Sequence, residues 1–218
     1  MATKVLKYFG KWRTRDSGFA QVLIIIAFAK SGFNRKLEMM LNNENIEALQ
    51  KELVWFEHVL NQRFQAYFNQ PEIDLIQPPN LDEDPSAYAK LVRQNGFNTD
   101  ERLILMLTLA PHLKPQVLDL FFIKNVPYDR EFTEFGGYLG KYHKGFLPTA
   151  ETALFIVALN DLSKRVEAQA YFDLNHPFRQ NEIILLRGIE NGEPLMSSPL
   201  VLDKKYIHYL ITGEEVPF

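Results

Sequence analysis

An acidic, proline-rich stretch near the middle of the chain limits what this sequence can fold into. Between Asn69 and Ser86 it carries four prolines and five acidic residues and no base: Pro71, Glu72, Asp74, Pro78, Pro79, Asp82, Glu83, Asp84 and Pro85. Proline prevents regular helix and the like charges repel one another, so an extended connector is predicted. We therefore expect a helical N-terminal region at 1–70, a linker at 71–85 and a second domain at 86–218. The structural interpretation of residues 71–85 is a solvated linker. The functional alternative is that their acidic side chains attract a basic partner.

The beginning of the chain combines a basic arm, residues 4–15, with an apolar run over residues 19–29. The combination resembles a secretion signal, but a buried helix over 19–31 is the preferred interpretation. A buried strand over 22–26 is the alternative, because β-branched residues are concentrated there. The run is about half as long as the roughly 20 residues that a membrane-spanning helix needs, so no membrane segment is expected.

A long amphipathic helix is predicted before the linker. Seven apolar residues recur there at three- and four-residue spacing and share one face: Ile46, Leu49, Leu53, Phe56, Leu60, Phe64 and Phe68. After the linker, further helices are expected at Ser86–Asn95, at Glu101–Leu109 and from Pro115 to about Lys124.

The last part of the chain mixes irregular, helical and β-like segments. Residues 129–148 are glycine-rich and are predicted to be irregular. Thr149 can begin a helix whose portion at 153–159 is apolar on every side, which places it in the core. Two β-like runs, at 182–189 and 195–202, flank Asn191-Gly192 and predict a hairpin. The predicted fold class is mainly α with a small β-hairpin (α+β).

Composition excludes several kinds of chemistry. The 218 residues include no cysteine, which excludes disulfides, thiolate metal sites and a cysteine nucleophile. A net charge of −3 is unlike that of a dedicated nucleic-acid binder. The five histidines are too far apart in sequence to form a metal-ligand motif: His58, His112, His143, His176 and His208. We expect a cytoplasmic, non-catalytic segment with no cofactor or metal of its own.

A glycine-rich loop is the most suggestive segment for binding. A phosphate loop would need a glycine where Phe135 stands and a Ser or Thr where Tyr142 stands, so a nucleotide site is not predicted there. A structural or partner-contacting loop is preferred. Aromatic residues among bases make single-stranded nucleic acid the alternative ligand. The candidate contact residues are Arg130, Gly136, Gly137, Tyr138, Gly140, Lys141, His143, Lys144, Gly145 and Phe146.

Residues 101–218 resemble a known family. The resemblance lies in three segments: ERLILMLTLAPHLKPQVLD, FGGYLGKYHKGFLPTAETALFIVALNDLSKR and EPLMSSPLVLDKKYIHYLITGEEVPF. They are similar to the N-terminal region of bacterial AAA+ ATPases common in Bacteroidetes, in which a winged-helix-like domain precedes the ATPase module. The resemblance implies a winged-helix-like domain at 86–218 that recruits a protein client or regulates the motor. ATP and Mg²⁺ are implied only for the ATPase module, whose phosphate loop does not occur in this chain, so a longer parent protein is expected.

A winged-helix resemblance also raises DNA binding as an alternative. If the helix beginning after Thr149 read DNA, its first turns would present Glu151 and the apolar residues 153–159, whereas a DNA-reading helix offers polar and basic side chains. Glu190 and Glu193 flank the predicted hairpin turn and would repel phosphates. Packing or protein contacts are therefore expected. A nucleic-acid module that uses the basic arm and the glycine-rich loop is the alternative.

Overall fold

The computed structural model describes residues 43–68, 76–188 and 192–214. Its α-helices are α1 (Asn43–Tyr67), α2 (Ala87–Asn95), α3 (Thr99–Leu113), α4 (Ala150–Ala158), α5 (Leu162–Ala168), α6 (Pro177–Gln180) and α7 (Lys204–Thr212). The strands are β1 (Lys124–Asn125), β2 (Arg130–Glu131), β3 (Tyr138–Leu139), β4 (Phe146–Leu147), β5 (Ile184–Leu186) and β6 (Leu200–Leu202). The predicted class, mainly α with a small hairpin, is confirmed. The helix predicted over 19–31, with its strand alternative, lies outside the described residues.

The strands pair antiparallel and in sequence order: β1 with β2, β3 with β4, and β5 with β6. In the third pair Ile184 lies opposite Leu202 and Leu186 opposite Leu200. The first two ribbons have only two residue pairs each, so most of the buried apolar surface comes from helices and from aromatic side chains between them.

Helix α1 packs against α2, α3 and α7 through a wide apolar face. Four residues of the predicted stripe are buried, namely Leu49, Phe56, Leu60 and Phe64, while Ile46 and Phe68 lie exposed near the helix ends. Trp55 and Val59 are buried as well, because helices contact α1 from more than one side.

A buried ion pair ties α1 to the elements that follow the connector. The Arg102 guanidinium on α3 donates to the Glu52 carboxylate on α1 and to the Pro79 carbonyl oxygen at 2.8 Å. Burial raises the pKa of Glu52, and the Arg102 charge opposes that rise. The described part of the predicted linker, residues 76–85, contains no helix or strand. Helix α1 therefore shares one core with the residues beyond the connector, within a compact unit at Asn42–Phe218.

The predicted extent of α2 and the predicted start of α3 follow from their caps, whereas α3 continues beyond its predicted end at Leu109 to Leu113. The Ser86 hydroxyl accepts the Ala89 N–H at 3.1 Å, and Gly96 ends α2 in a left-handed conformation with φ of 64°. Asn98 and Glu101 form a capping box at the start of α3, each side chain accepting the other's backbone N–H.

Two predicted segments differ from what the structure contains. The segment from Pro115 is a 3₁₀ helix that ends at Phe122, and the chain enters β1 at Lys124. The stretch at 129–148, predicted to be irregular, contains β2, β3 and β4. Strands of two residues are too short to show a recognisable alternation. The β3–β4 ribbon is held by Phe146, which packs against Phe121 and Phe122.

The hairpin β5–β6 is confirmed, but its strands are shorter than predicted and residues 187–199 connect them. The segment that leads into β6 also pairs with the residues at the start of α4. The Ala150 N–H donates to the Ser198 carbonyl oxygen at 3.0 Å, and the Leu200 N–H donates to the Pro148 carbonyl oxygen at 3.0 Å. No helix in the described part of the chain is long and apolar enough to cross a membrane.

Candidate partner-docking site

Helices α4 and α5 form a helix-turn-helix. Leu159 ends α4 with φ of 47°, and the Asp161 N–H donates to the Ala158 carbonyl oxygen at 2.9 Å, which closes a tight turn. The Asp161 carboxylate then caps α5 by accepting the N–H groups of Ser163 at 2.9 Å and Lys164 at 3.1 Å. In DNA-binding proteins with this motif, the second helix lies in the major groove. Helix α5 is the second helix of this pair.

An ion pair fixes how α5 sits on α4. Arg165 Nη2 lies 2.6 and 2.5 Å from the two carboxylate oxygens of Glu151, in the first turn of α4. Ala168 is the one buried residue of α5, so the helix contacts the core along a narrow line. Its other residues are exposed except Arg165, which is half-buried against Glu151.

The outer surface of α5 is unexpectedly aliphatic. Leu162 is 71% exposed and Val166 is 60% exposed, and four-residue spacing places them on the same side of the helix. Leu174, just beyond the 3₁₀ turn at Gln169–Phe172, is 75% exposed. We call Leu162, Val166 and Leu174 the aliphatic face. It was not among the predicted contact residues, although aliphatic residues at i and i+4 in a polar helix that follows an Asp cap are a visible signal in the sequence.

The charges around the aliphatic face do not favour a phosphate backbone. Asp161, Glu167 and Asp173, which adjoin Leu162, Val166 and Leu174 in sequence, are exposed acids. Lys164 is exposed as well, whereas Arg165 is engaged with Glu151. A helix that reads DNA presents arginine, lysine or amides to base edges and phosphates. This surface instead presents leucine and valine, and its exposed acids outnumber its exposed bases.

The glycine-rich loop is seated on the start of α4. The Gly137 N–H donates to the Thr149 hydroxyl at 3.0 Å. A Cβ at Gly136 would lie 2.4 Å from Thr149 Oγ1, and one at Gly137 would lie 2.0 Å from the Phe146 ring. Phe146 is buried and stacks on Phe121 with ring centroids 4.7 Å apart. These three candidate contact residues, Gly136, Gly137 and Phe146, therefore have packing roles.

Other candidate residues of the loop form an exposed rim. Tyr138, Lys141, Lys144 and Arg130 are exposed, while Gly140, His143 and Gly145 are partly buried at the tip of the β3–β4 ribbon. Two cation–π pairs lie on this rim: Lys141 Nζ is 5.3 Å from the Tyr142 ring centre, and Arg130 Cζ is 5.4 Å from that of Tyr128. Tyr142 is 84% exposed and Tyr128 is 71% exposed. The structure thus separates the loop into a buried base and a rim of aromatics and bases.

A hydrogen bond anchors the loop to α1. The Tyr67 hydroxyl at the end of α1 donates to the Glu134 carboxylate, and burial together with that hydrogen bond raises the pKa of Tyr67 to about 12. Burial, with a smaller contribution from the His143 charge, lowers the pKa of His112 near the end of α3. Among the described residues, no group of three or more potential metal ligands lies together.

Comparison with known proteins identifies the fold of the second half. Residues 87–217 match the family described as winged helix domain, variant. The match begins at the first residue of α2 and covers the helix-turn-helix, the hairpin β5–β6 and α7. No curated protein and no solved structure matches the chain.

Proposed function

The chain belongs to the winged helix domain family, variant type, and on this premise we propose that it is a non-catalytic module that docks a protein partner. The aliphatic face of α5 is the observation that carries this proposal. It occupies the position from which a helix-turn-helix meets its ligand, and it is apolar.

The energetics of the aliphatic face favour a protein over nucleic acid. Burying a leucine or valine side chain contributes about 1.5–3 kcal/mol, and a protein surface of matching shape can bury it. Phosphates and base edges offer little apolar surface beyond the thymine methyl group, so Leu162 and Val166 would gain little from DNA. The exposed acids Asp161 and Glu167 would also repel the phosphate backbone.

A site-specific photo-crosslink distinguishes the two kinds of ligand. A photoreactive phenylalanine analogue is placed at Val166 in the full chain and activated in the cells of origin. We expect adducts that protease removes and nuclease does not, and one reproducible polypeptide should dominate them. Adducts that nuclease removes would reject the proposal in favour of nucleic-acid binding.

Two variants control the crosslinking experiment. The same analogue at Lys90, an exposed position on α2, should give no such adduct. Adding Leu162→Asp to the Val166 probe should abolish the adduct, because the charge removes the adjoining apolar contact without touching the core. An adduct that persists with Leu162→Asp would mean that the aliphatic face does not hold the partner.

We also propose a setting for this docking module. The resemblance of residues 101–218 to the N-terminal region of AAA+ ATPases supports a place in front of an ATPase module, with the client recruited by α5. The native protein, detected in its own cells with an antibody against this domain, should then be much larger than 25.4 kDa. A native mass of 25.4 kDa would reject the ATPase setting and leave a separate adaptor.

Nucleic-acid binding through the exposed rim is the second candidate function. Tyr128 and Tyr142 can stack on unpaired bases, and Arg130, Lys141 and Lys144 can neutralise phosphates. Binding to labelled single-stranded DNA should then weaken steeply with salt and be lost in Lys141→Glu/Lys144→Glu. The double variant Lys51→Glu/Lys90→Glu, which makes the same charge change on α1 and α2, is the control. Binding that both double variants reduce equally would be non-specific and would reject this candidate.

A further inference from the structure

A groove lies between the end of the helix-turn-helix and the β5–β6 hairpin. It encloses about 340 Å³, and its walls come from the segment after α5, from α6 and from the loop that follows β5. Phe172, Leu174, Leu186 and Leu195 supply apolar surface to the groove. Leu174, one of the three exposed aliphatic residues named above, is part of this lining.

Backbone hydrogen bonds hold both walls of the groove. On one side, the Ile183 N–H donates to the carbonyl oxygen of the buried Phe178 at 2.8 Å, which ties α6 to the start of β5. On the other side, Arg187 extends the pairing of the hairpin by donating its N–H to the Pro199 carbonyl oxygen at 3.1 Å. Such walls are formed before a ligand arrives, which lowers the entropy cost of binding.

Two arginines line the same groove. Arg179 projects from α6 and Arg187 from the end of β5, and within the described part of the chain neither makes an ion pair or a side-chain hydrogen bond. Asp173 is the acidic residue of the lining. Two cations against one acid leave the groove with a positive excess, although the whole chain carries a net charge of −3.

We propose that this groove binds an acidic, aliphatic peptide segment of the protein partner. Its apolar lining fits leucine-like side chains, and Leu195, 58% exposed, forms an open lip for them. Arg179 and Arg187 fit carboxylates, which guanidinium groups can bind through two parallel hydrogen bonds. The proposal rests on the protein-docking function and adds the chemistry of the segment that is recognised.

Nucleic acid fits this groove less well. A phosphate backbone would satisfy the arginines but would leave Leu174 and Leu195 against a charged, hydrated chain. Alternating aliphatic and acidic side chains satisfy both kinds of surface at once.

A peptide selection with a charge-reversed counterpart tests the proposal. A phage-displayed library of random peptides is selected on the full chain after depletion on the variant Arg179→Glu/Arg187→Glu. Enriched sequences should combine Asp or Glu with Leu, Ile or Val. A synthetic peptide of the enriched sequence should lose about fivefold in affinity on replacing either arginine by alanine, as expected for a partly exposed ion pair. The double reversal should instead prefer the same peptide with lysine in place of its acids.

Matched controls make the selection decisive. Lys51→Glu/Lys90→Glu carries the same charge change on other helices and should bind the peptide like the unaltered chain. No enrichment, enrichment without acidic residues, or affinity that is indifferent to both arginines would each overturn the proposal. Displacement of the peptide by random single-stranded or duplex DNA would overturn it in favour of a nucleic-acid ligand.

The photo-crosslink at Val166 separates failure of this inference from failure of the proposed function. A protein adduct there, together with an arginine-independent peptide result, would overturn the groove proposal and leave protein docking intact. A nuclease-sensitive adduct would overturn both, because the groove proposal presupposes a protein partner.

Discussion

Helices α4 and α5 follow one another in the chain and both contain aliphatic side chains, yet their surroundings are opposite. Every residue of α4 except Glu151 is buried, and its Phe155 contacts the aromatic rings of α1 and of the loop. In α5 only Ala168 is buried, and Leu162 and Val166 face outward. The two helices are separated by a three-residue turn.

The contrast shows that apolar composition alone does not place a helix in the core. Helix α4 is surrounded by α3, by the loop and by the hairpin segment at 195–197, so each of its faces meets apolar surface. Helix α5 packs mainly on α4, which leaves one side without a neighbour among the described residues. Aliphatic residues that remain exposed on such a side indicate an interaction surface.

The largest effect should come from opening the core around α4. Phe155→Ala removes a ring that lies 4.7 Å from Phe135 and 5.6 Å from Phe64, centre to centre. We expect a loss of about 3–5 kcal/mol in unfolding free energy, because a cavity remains among fixed neighbours. Urea denaturation followed by circular dichroism measures it. A loss below about 1 kcal/mol would contradict the central position of α4.

A smaller loss should follow from disturbing how the loop seats on α4. Gly137→Ala places a Cβ against the Phe146 ring at a residue with φ of 83°. We expect a loss of about 1–3 kcal/mol from overpacking and backbone strain. Gly96→Ala is the control, because Gly96 has φ of 64° and open space around it. Its loss of stability therefore measures backbone strain without overpacking. Equal losses in the two variants would show that Phe146 moves aside without cost.

The aliphatic face of α5 should tolerate substitution without loss of stability. Leu162→Ser/Val166→Ser removes exposed side chains, so the unfolding free energy should change by about 0.5 kcal/mol or less. The photo-crosslinked protein adduct should nevertheless disappear. A large loss of stability in urea denaturation would mean that these residues belong to the fold rather than to a docking surface.

The smallest effect should be a pH dependence near His176, which caps α6. Burial lowers its pKa below the ordinary value of about 6.5, and the Glu101 carboxylate, 3.0 Å from Nε2, opposes the shift. Since the unfolded chain then binds the proton more readily, stability is full above about pH 6.5 and declines as the pH falls through that value. His176→Asn should flatten this decline in urea denaturation at a series of pH values. An unchanged slope would assign the decline to other groups, such as His112.

Sequence patterns predicted the regular parts of the fold well, for local reasons. Ser86, Gly96 and Asn98 mark helix ends because their caps involve only neighbouring residues. The apolar stripe of α1 and the uniformly apolar α4 also indicated burial directly. The short ribbons escaped prediction, because pairs such as Tyr138 with Leu147 depend on contacts between segments and leave no periodic pattern.

The candidate site was predicted only in part. The glycine-rich loop stood out in the sequence, but Gly136, Gly137 and Phe146 serve packing, and only rim residues such as Lys141 and Lys144 are exposed. The sequence predicted that α4 is buried and does not read DNA, and the structure buries it, whereas the exposed aliphatic residues of α5 were not predicted. The exposed aliphatic residues of α5 escaped prediction because the sequence shows apolar residues without showing which neighbours cover them.

By itself, the sequence determined the helices α1 to α4, several of their caps and the burial of the uniformly apolar α4, because these properties depend on residues a few positions apart. Helices α5, α6 and α7 were not predicted as separate helices. Only the tertiary structure decided that α1 joins the same core, that α5 is left with an open aliphatic side, and that Arg179 and Arg187 line one groove. Those outcomes depend on which surfaces come into contact when segments distant in sequence pack together. The burial of a side chain is set by its neighbours in space and not by its residue type alone.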